Sequence, residues 1–496
     1  MLACDTGNMK PIRFLAFAII IFWLAMIGLL IVRNYGGPPR SEISFATVKD
    51  ALDVGEEWMG VYFKGEKVGY AVTVTRRIGD RYEIFEHSVM RITMLGEQQR
   101  IESKLKSLVN LDYSLDSFEF FLASGEVRFS LQGRVRGHDL DLTVDSGGKR
   151  TETTLLLKEV PYVSSALKSY VLAQGLRVGK QFRLPFFDPT TMSSSEIVVD
   201  VVKKEEVVND GKPIAVYCLK QFLKGIETVV WISETGETIK EESAMGFALV
   251  KEDREKALSG EWAKAGTSDL VLMTAVSSDK PLAEPRESRR LRVKLLNISL
   301  KGFDLDGGRQ HLIDDMVEIR REDLDGLGNF SLPGDANKFG PYLNPTPLIQ
   351  SGDARIVSQA KQITKGSADA KAAARMLVAW VYKNIEKKPT VSIPSSLEVL
   401  DRRAGDCNEH TSLFVALARS LGLPARICVG IVYMENKFFY HAWPEVFLSN
   451  WVAVDPTFNQ FPADATHIRF VIGDLSDQLK IVRLIGELKV EVMEYS

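Results

Sequence analysis

Apolar and polar positions alternate with a period of two along most of the first half of the chain. The segments VGYAVTVTRR, YEIFEHSVMRITML and VRFSLQGRVRGHDLDLTVDS show this pattern, and glycine-containing turns such as FKGEKVG and DSGGKR separate them. Such alternation is typical of antiparallel strands with one buried and one solvated face. A helical pattern interrupts it over residues 163–176. We therefore predict an antiparallel β-rich domain over residues 34–276.

The spacing of the apolar positions becomes helical after Gly352. The segment SADAKAAARMLVAWVYKNIEKK carries one apolar face, and SSLEVLDRR begins with Ser395 and Glu398 at the spacing of a capping box. Strand patterns follow in RICVGIVYM, KFFYHAWPEVFL and NWVAVDPTF, so residues 351–496 are predicted to form an α+β domain. Residues 277–350 are predicted to be a linker with a small β extension. The apolar helical face consists of Ala370, Ala374, Leu377, Val378, Val381 and Ile385.

A long uncharged segment lies near the N-terminus. FLAFAIIIFWLAMIGLLIV runs for 19 residues from Phe14 to Val32, about enough to cross a bilayer core of roughly 30 Å. Basic residues flank it on both sides, and no small-residue cleavage site follows, so residues 1–33 are predicted to be an uncleaved transmembrane helix. Translation starting at Met1 or at Met9 is compatible with this pattern. The predicted fold class is α+β: a transmembrane helix, an antiparallel β-rich domain and a C-terminal α+β domain.

Charge and composition limit the location and the partners of the protein. A short basic N-terminus before a large domain favours an N-inside orientation, which predicts a single-pass inner-membrane protein with its bulk facing the periplasm or the cell exterior. The net charge is −3 and the pI is about 6.2, so no basic excess is available for nucleic acid. Cys218, Cys407 and Cys428 lie in the part that follows the predicted span, and an odd number leaves at least one of these thiols free.

Cys407 is predicted to be the first residue of a helix. Asp406 and Glu409 have the spacing of a capping box around it, and Gly422 ends the apolar periodicity that follows. The first N–H groups of a helix are unpaired and lie at the positive end of its dipole, which favours a thiolate and could stabilise a developing oxyanion. The sequence therefore indicates a candidate nucleophile.

A candidate base and a residue to orient it follow the cysteine. His441 lies in FFYHAWPEVF and Asp455 in NWVAVDPTF, with Ser449-Asn450 as the expected turn between the two strands. This hairpin would bring the histidine and the aspartate nearly opposite each other. A nucleophile, a base and an orienting carboxylate are the groups that acyl transfer by a thiol needs.

These segments resemble the transglutaminase-like superfamily, the papain-related group of cysteine proteases, peptide amidases and protein cross-linkers. GDCNEHTSLFVALARSLGLPAR, HAWPEV and WVAVDPTF occur in the order and spacing of the family, over about residues 350–475. The resemblance, to bacterial membrane-anchored members, implies Cys407 as nucleophile, His441 as base, Asp455 as orienter and Trp443 as a substrate-binding residue of the cleft. It implies a protein or peptide substrate, neither cofactor nor metal, and hydrolysis of amides rather than cross-linking.

Three other interpretations remain open on the sequence. Cys407, His410, His441 and Asp455 could form a four-ligand zinc site. The fold could serve as a non-catalytic envelope scaffold, and a Cys407–Cys428 disulfide would silence an enzyme. Glu445 shares a strand face with His441, so it lies near the site or in solvent, and His467 receives no role. The β-rich domain is expected to bind a protein partner of the cell envelope.

Overall fold

Fourteen antiparallel strands form one sheet in the first half of the protein. The computed structural model describes residues 55–263, 268–328 and 330–496. The strand order is β8-β7-β6-β5-β4-β3-β2-β1-β14-β13-β12-β11-β10-β9. The strands are β1 Glu56–Phe63, β2 Glu66–Ile78, β3 Arg81–Met94, β4 Glu97–Val109, β5 Leu115–Ser124, β6 Val127–Arg136, β7 Asp139–Ser146, β8 Lys149–Leu156, β9 Gln181–Asp188, β10 Ser193–Asn209, β11 Lys212–Leu223, β12 Ile226–Ser233, β13 Thr238–Ser243 and β14 Phe247–Lys251.

The large sheet buries alternate residues, which confirms the period of two in the sequence. In β7, Leu140, Leu142 and Val144 are buried, while the residues between them are partly exposed. The turn to β8 contains Gly147 and Gly148 at φ 62° and 78°, the left-handed conformation that two-residue hairpin turns require. Among the described residues of this half, the helices are α1 Ser164–Ala173, α2 Arg254–Leu258 and α3 Leu270–Thr274, with a 3-10 turn at Gly260–Ala263.

The C-terminal region packs helices against a second antiparallel sheet. Its central helix buries Leu413, Phe414 and Leu417 against the apolar face predicted between Ala370 and Ile385. The sheet has the order β15-β22-β21-β24, with β23 paired to β22. The helices are α4 Ala336–Leu343, α5 Ala354–Ile363, α6 Ala370–Asn384, α7 Ser396–Arg402, α8 Cys407–Ser420 and α9 Leu475–Gln478. The strands are β15 Val276–Ser277, β21 Ala425–Met434, β22 Lys437–Phe447, β23 Trp451–Ala453 and β24 Ile468–Ile472.

A small third sheet takes strands from two distant segments. Its order is β17-β18-β16-β25, so the C-terminal strand pairs with a strand from the segment 277–350. Its strands are β16 Arg290–Leu296, β17 Gln310–Ile313, β18 Met316–Arg320 and β25 Lys489–Tyr495. A parallel pair, β19 Glu386–Lys387 with β20 Ala404–Gly405, and 3-10 turns at Pro285–Glu287 and Leu479–Leu484 complete the assignment.

The predicted capping box at Ser395 is wrong. Ser395 is the N-cap of α7, but its side chain makes no cap hydrogen bond. The Ser395 hydroxyl accepts a hydrogen bond from Gln350 Nε2 at 3.0 Å, and Glu398 accepts one from Ser146 Oγ of β7 at 2.7 Å. Tertiary partners have therefore replaced the local ones, and one of these bonds ties the large sheet to the helices before Cys407.

The predicted transmembrane helix, Phe14–Val32, lies outside the described residues. Among the helices of residues 55–263, 268–328 and 330–496, none combines the length and apolar character needed to cross a bilayer.

Candidate active site

Cys407 is the first residue of α8, as the sequence predicts. The Asp406 side chain accepts a hydrogen bond from the Asn408 N–H at 2.8 Å, and the Asp406 N–H donates to Glu409 Oε2 at 2.8 Å. Both halves of the predicted capping box are thus confirmed. The Glu409 side chain folds back so closely that a Cβ at Gly405 would lie 2.3 Å from it. The loop before the cysteine therefore requires glycine.

The N-terminus of α8 docks on β22, the strand that carries His441. Thr411 Oγ1 donates to the carbonyl of Ala442 at 3.1 Å, and the backbone N–H of Ala442 faces the Cys407 thiol, where it favours a lower pKa. Cys407 therefore lies next to Ala442, the residue that follows His441 in the chain. Within the residues that the structure describes, no hydrogen bond joins Cys407 Sγ to the His441 ring itself.

His441 and Asp455 meet, but they are not paired across the hairpin. His441 Nε2 lies 2.8 Å from Asp455 Oδ2. The hairpin pairs Glu445 with Ala453, and the N–H of Val454 still bonds to Pro444 at 3.0 Å. Asp455 follows directly, so it reaches His441 along a diagonal rather than from the opposite position. Because Nε2 is engaged, Nδ1 is the ring nitrogen left to accept a proton.

Asp455 is fully buried and surrounded by donors. Its Oδ1 accepts the backbone N–H groups of Thr457 and Phe458 at 2.6 and 3.1 Å. Its Oδ2 faces His441 Nε2 and His467 Nε2 at 2.8 and 3.0 Å. Burial opposes ionisation, but the attraction of His441 and the hydrogen bonds from both imidazoles outweigh it and hold the pKa of Asp455 well below its usual range.

The electrostatics at Cys407 differ from what its helix position alone predicts. Burial raises the pKa of the Cys407 thiol well above its usual range, and the neighbouring Asp406 carboxyl raises it further. The N–H of Ala442 acts in the opposite direction. Burial therefore outweighs the helix terminus, because an anion loses hydration there. Formation of the nucleophile therefore depends on a neighbouring base.

Trp443 lies under the site rather than in a cleft, which differs from the prediction. Its side chain is 0% exposed and packs with Cys428, Ala453 and other core residues. Its ring stacks on His441 with centroids 6.1 Å apart and meets the edge of His467 at 5.1 Å. The Trp443 ring therefore packs against both imidazoles from the protein interior. It has no solvent-accessible surface that a substrate could contact.

Glu445 is buried and paired, which resolves the alternatives left by the sequence. It is 2% exposed and bonds to Arg426 Nε at 2.8 Å and to Arg469 Nη1 at 2.9 Å. Burial opposes ionisation of Glu445, but Arg469 and Arg426 outweigh it and lower the pKa of the carboxyl. The Glu445 side chain therefore lies in the interior and not on a solvated face of the hairpin.

His467 is the site residue that sequence reasoning missed. It precedes β24 and contacts Asp455 through Nε2 and Asp464 through Nδ1, at 3.0 and 3.1 Å. The signal in the sequence is the Asp464-x-x-His467 spacing shortly after the predicted orienting aspartate. That spacing is common in sequences. It indicates a site residue only once the contact between His467 and Asp455 is known.

The four-ligand zinc set of the sequence is not assembled among the described residues. His410 Nδ1 lies 2.7 Å from the carbonyl oxygen of Asp406, inside its own helix. The group whose potential ligand atoms converge within 4.8 Å consists of His441, Asp455 and His467. In the described part of the chain, Cys407 and Cys428 are free cysteines and form no disulfide.

A cavity of about 120 Å³ lies beside the first turns of α8. Asn408 and Thr411 contribute to its wall from the helix, and Thr191 and Met192 contribute from the turn between β9 and β10. The β-rich half of the protein therefore borders the surroundings of Cys407.

Comparison with known proteins identifies the C-terminal region. Residues 357–456, which include the cysteine, the histidine and the aspartate, match the transglutaminase-like superfamily. This segment is a transglutaminase-like domain. The expected family resemblance is thereby confirmed for this range. No curated protein matches the chain.

Solved structures give only distant similarities. A candidate cysteine protease from Cytophaga hutchinsonii is 16% identical, with TM-score 0.31, over 42% of this chain and 87% of its own. A β-barrel-like domain of unknown function from Brucella abortus is 11% identical, with TM-score 0.30, over 40% and 94%. A candidate protease from Parabacteroides distasonis is 10% identical, with TM-score 0.18, over 76% and 70%. Since scores this low do not establish a shared fold, the family assignment depends on the sequence match.

Proposed function

We propose that this protein is a thiol-dependent enzyme that acts on peptide or amide bonds. Cys407 is the nucleophile, His441 the base and Asp455 the residue that orients the base. One observation carries the proposal: His441, bonded through Nε2 to a buried carboxylate, immediately precedes Ala442, whose backbone N–H faces the cysteine at a helix N-terminus. This arrangement leaves Nδ1 of His441 to take the thiol proton.

The proposed reaction proceeds through a thioester. His441 Nδ1 accepts the Cys407 proton, and the sulfur attacks the amide carbonyl carbon. The backbone N–H of Cys407 stabilises the oxyanion. The C–N bond then breaks, and the amine leaves with the proton held by His441. Water, deprotonated by His441, attacks the thioester and releases the acid and the thiol. An amine as acceptor would give cross-linking instead, and we propose hydrolysis.

The setting of the reaction follows from the N-terminal segment. The uncharged run Phe14–Val32 supports a single-pass anchor in the inner membrane, with the enzyme facing the periplasm or the cell exterior. The cavity lined by Met192 and Asn408 borders both halves of the protein beside the cysteine helix, and we propose a protein or peptide as the substrate. We also propose that the large sheet binds an envelope protein. A non-catalytic scaffold is the competing function.

The test is the rate at which iodoacetamide modifies Cys407 as a function of pH. Full-length protein in detergent is reacted between pH 4 and 9, and the Cys407 peptide is followed by mass spectrometry, so that the other cysteines do not contribute. The wild type is compared with His441→Ala. An activated pair gives modification that begins well below pH 8 in the wild type and shifts upward by at least about one pH unit in the variant.

The outcome separates the two functions. A scaffold predicts a single rise near the pKa of an isolated thiol, about 8.5, that is the same in both proteins. Such a result would refute the enzyme. If the pair is active, incubation with peptide libraries, with and without an added primary amine, distinguishes hydrolysis from cross-linking by the mass of the product.

A further inference from the structure

Two imidazoles share one oxygen of Asp455. His441 Nε2 and His467 Nε2 lie 2.8 and 3.0 Å from Oδ2, and the two rings meet edge to face with centroids 5.8 Å apart. A base needs only one carboxylate to orient it. The second histidine is therefore a feature that the proposed reaction alone does not explain.

The hydrogen bonds fix the protonation state of His467. Its Nδ1 lies 3.1 Å from Asp464 Oδ1. Asp464 otherwise contacts donors: the N–H and hydroxyl of Thr466, the side-chain amide of Gln460 and the guanidinium of Arg286. Asp464 is therefore an ionised acceptor, as Asp455 is. Both ring nitrogens of His467 face carboxylates, so both must donate, and the ring is a buried cation.

The pKa directions agree with this geometry. Burial disfavours the cation, but Asp464 and Asp455 outweigh that cost and raise the pKa of His467. Burial likewise opposes ionisation of Asp464, but His467 and the hydrogen bonds to the carboxylate hold its pKa well below the usual range.

Asp455, His467 and Asp464 form a chain of charged side chains, called the relay below. It ends on Arg286, which belongs to the segment 277–350. Arg286 Nη1 lies 2.9 Å from Asp464 Oδ2, and its guanidinium also lies 4.3 Å from the centre of the Phe458 ring. That ring in turn stacks on His441 at 5.0 Å. The charges of the relay alternate and sum to zero over Arg286, Asp464, His467 and Asp455. Through the Phe458 ring, Arg286 also reaches the base, His441.

We propose that His467 is a positioning residue that acts through Asp455 to limit how strongly His441 is held as a cation, and so sets the pH at which Cys407 becomes nucleophilic. The inference rests on the proposed function of the Cys407–His441 pair. Two effects act in the same direction. His467 takes part of the hydrogen-bonding capacity of Oδ2, and its positive charge repels a protonated His441 across a buried distance.

Two carboxylates and a second imidazole lie around His467. Asp455 and Asp464 contact it directly, and His441 is a further titratable neighbour. Arg286 acts through Asp464. Further out, Arg309 bonds to the carbonyl oxygens of Ala463 and Asp464 and pairs with Glu322, so this second cation is balanced by its own carboxylate.

The experiment follows iodoacetamide modification of Cys407 against pH in full-length protein. The variants are His467→Gln, Arg286→Gln and Arg286→Lys, with His311→Gln as the control for loss of an exposed histidine. We expect His467→Gln to move the midpoint of the rise downward by about one pH unit. Arg286→Gln should move it downward by less, and Arg286→Lys should leave it unchanged, because the charge is retained.

Each outcome decides between the inference and its alternatives. A midpoint that stays or rises in His467→Gln, while His441→Ala still shifts the profile upward, overturns the role of His467 and leaves the proposed enzyme intact. No effect of His441→Ala refutes the enzyme itself. If His467→Gln does not fold, the Arg286→Gln and Arg286→Lys pair decides, since equal profiles refute a charge effect.

Metal analysis of the purified protein tests whether His467 binds a metal instead of a second proton. Stoichiometric zinc in the purified protein, absent from His467→Gln, overturns the inference, because an imidazolium cannot bind a metal.

Discussion

Arg309 and Glu322 form a largely buried ion pair, with Nη1 and Oε2 3.7 Å apart, that contacts the chain before and after Asp455. Arg309 Nη2 also donates to the carbonyl oxygens of Ala463 and Asp464 at 2.8 Å. Glu322 Oε1 accepts the N–H of Ala453 at 2.8 Å. The pair therefore joins the strand that leads to Asp455 with the loop that leads to His467, so the segment 277–350 is part of the support of the site.

Breaking this pair should destabilise the protein more than removing it completely. Glu322→Leu leaves Arg309 buried without a counter-charge and should lower the free energy of unfolding by about 3–5 kcal/mol. Arg309→Met combined with Glu322→Leu should recover a large part of that loss. Urea unfolding followed by tryptophan fluorescence measures both. A double variant as unstable as Glu322→Leu alone would show that the carbonyl contacts of Arg309 dominate.

Asp455→Asn tests whether both carboxylate oxygens are required. Each oxygen accepts two hydrogen bonds, whereas an amide offers only one acceptor oxygen, so one pair of donors loses its partner. Stability should fall by about 1–3 kcal/mol. The rate of Cys407 modification at pH 6 should fall by about tenfold, because a neutral amide stabilises the protonated base less. An unchanged rate in folded variant protein would contradict the orienting role.

Trp443 should behave as a core residue in mutagenesis. Trp443→Ala should lower the free energy of unfolding by about 3–5 kcal/mol. Trp443→Phe should cost less than Trp443→Ala, because a smaller cavity is left and the indole N–H has no hydrogen-bond partner in the described structure. The phenylalanine variant should react with small and bulky alkylating reagents at the wild-type ratio. A change in the rate for the bulky reagent alone would show that Trp443 lines the cleft.

Stability should pass through a maximum between about pH 4 and pH 6.5. The lowered pKa values of Asp455 and Asp464 stabilise the fold above their unfolded values, near 3.9, and that contribution is lost as the pH falls. The raised pKa of His467 stabilises it below about 6.5, and that contribution is lost as the pH rises through the folded value. Urea midpoints from pH 3 to pH 9 measure both limbs.

His467→Gln should flatten the alkaline limb of that curve. The control variant His311→Gln should have the same curve as the wild type. A wild-type midpoint that does not fall between pH 6 and pH 9 would be inconsistent with a buried cationic histidine.

Ser146→Ala tests the contact between the large sheet and the helices that precede Cys407. The hydroxyl of Ser146 is a hydrogen-bond donor to the buried Glu398, and burial raises the pKa of that carboxyl. Loss of the donor should lower the free energy of unfolding by about 1–3 kcal/mol. Ser103→Ala, on β4 of the same sheet, serves as the control. Equal stability of the two variants would show that the contact contributes nothing.

The local structure around the cysteine could be predicted from the sequence. The cap formed by Asp406 and Glu409 connects residues three apart, and the apolar face from Ala370 to Ile385 follows from helical spacing. The alternation of the β-rich half is likewise a property of neighbouring residues. The same local reasoning failed at Ser395 and Glu398, because Gln350 and Ser146 reach these side chains from distant segments and compete with the cap.

The sequence alone therefore determined the helix that presents Cys407, the strands that carry His441 and Asp455, and the family of the domain. Only the tertiary structure decided that the Asp455 carboxylate contacts four donors, that Trp443 is covered, and that Arg286 and His467 complete a neutral relay. Period and spacing reveal which face a residue occupies. They do not reveal what packs on that face, because burial and pairing depend on other segments, some of them as distant as Ser146 is from Glu398 or Arg286 from Asp464.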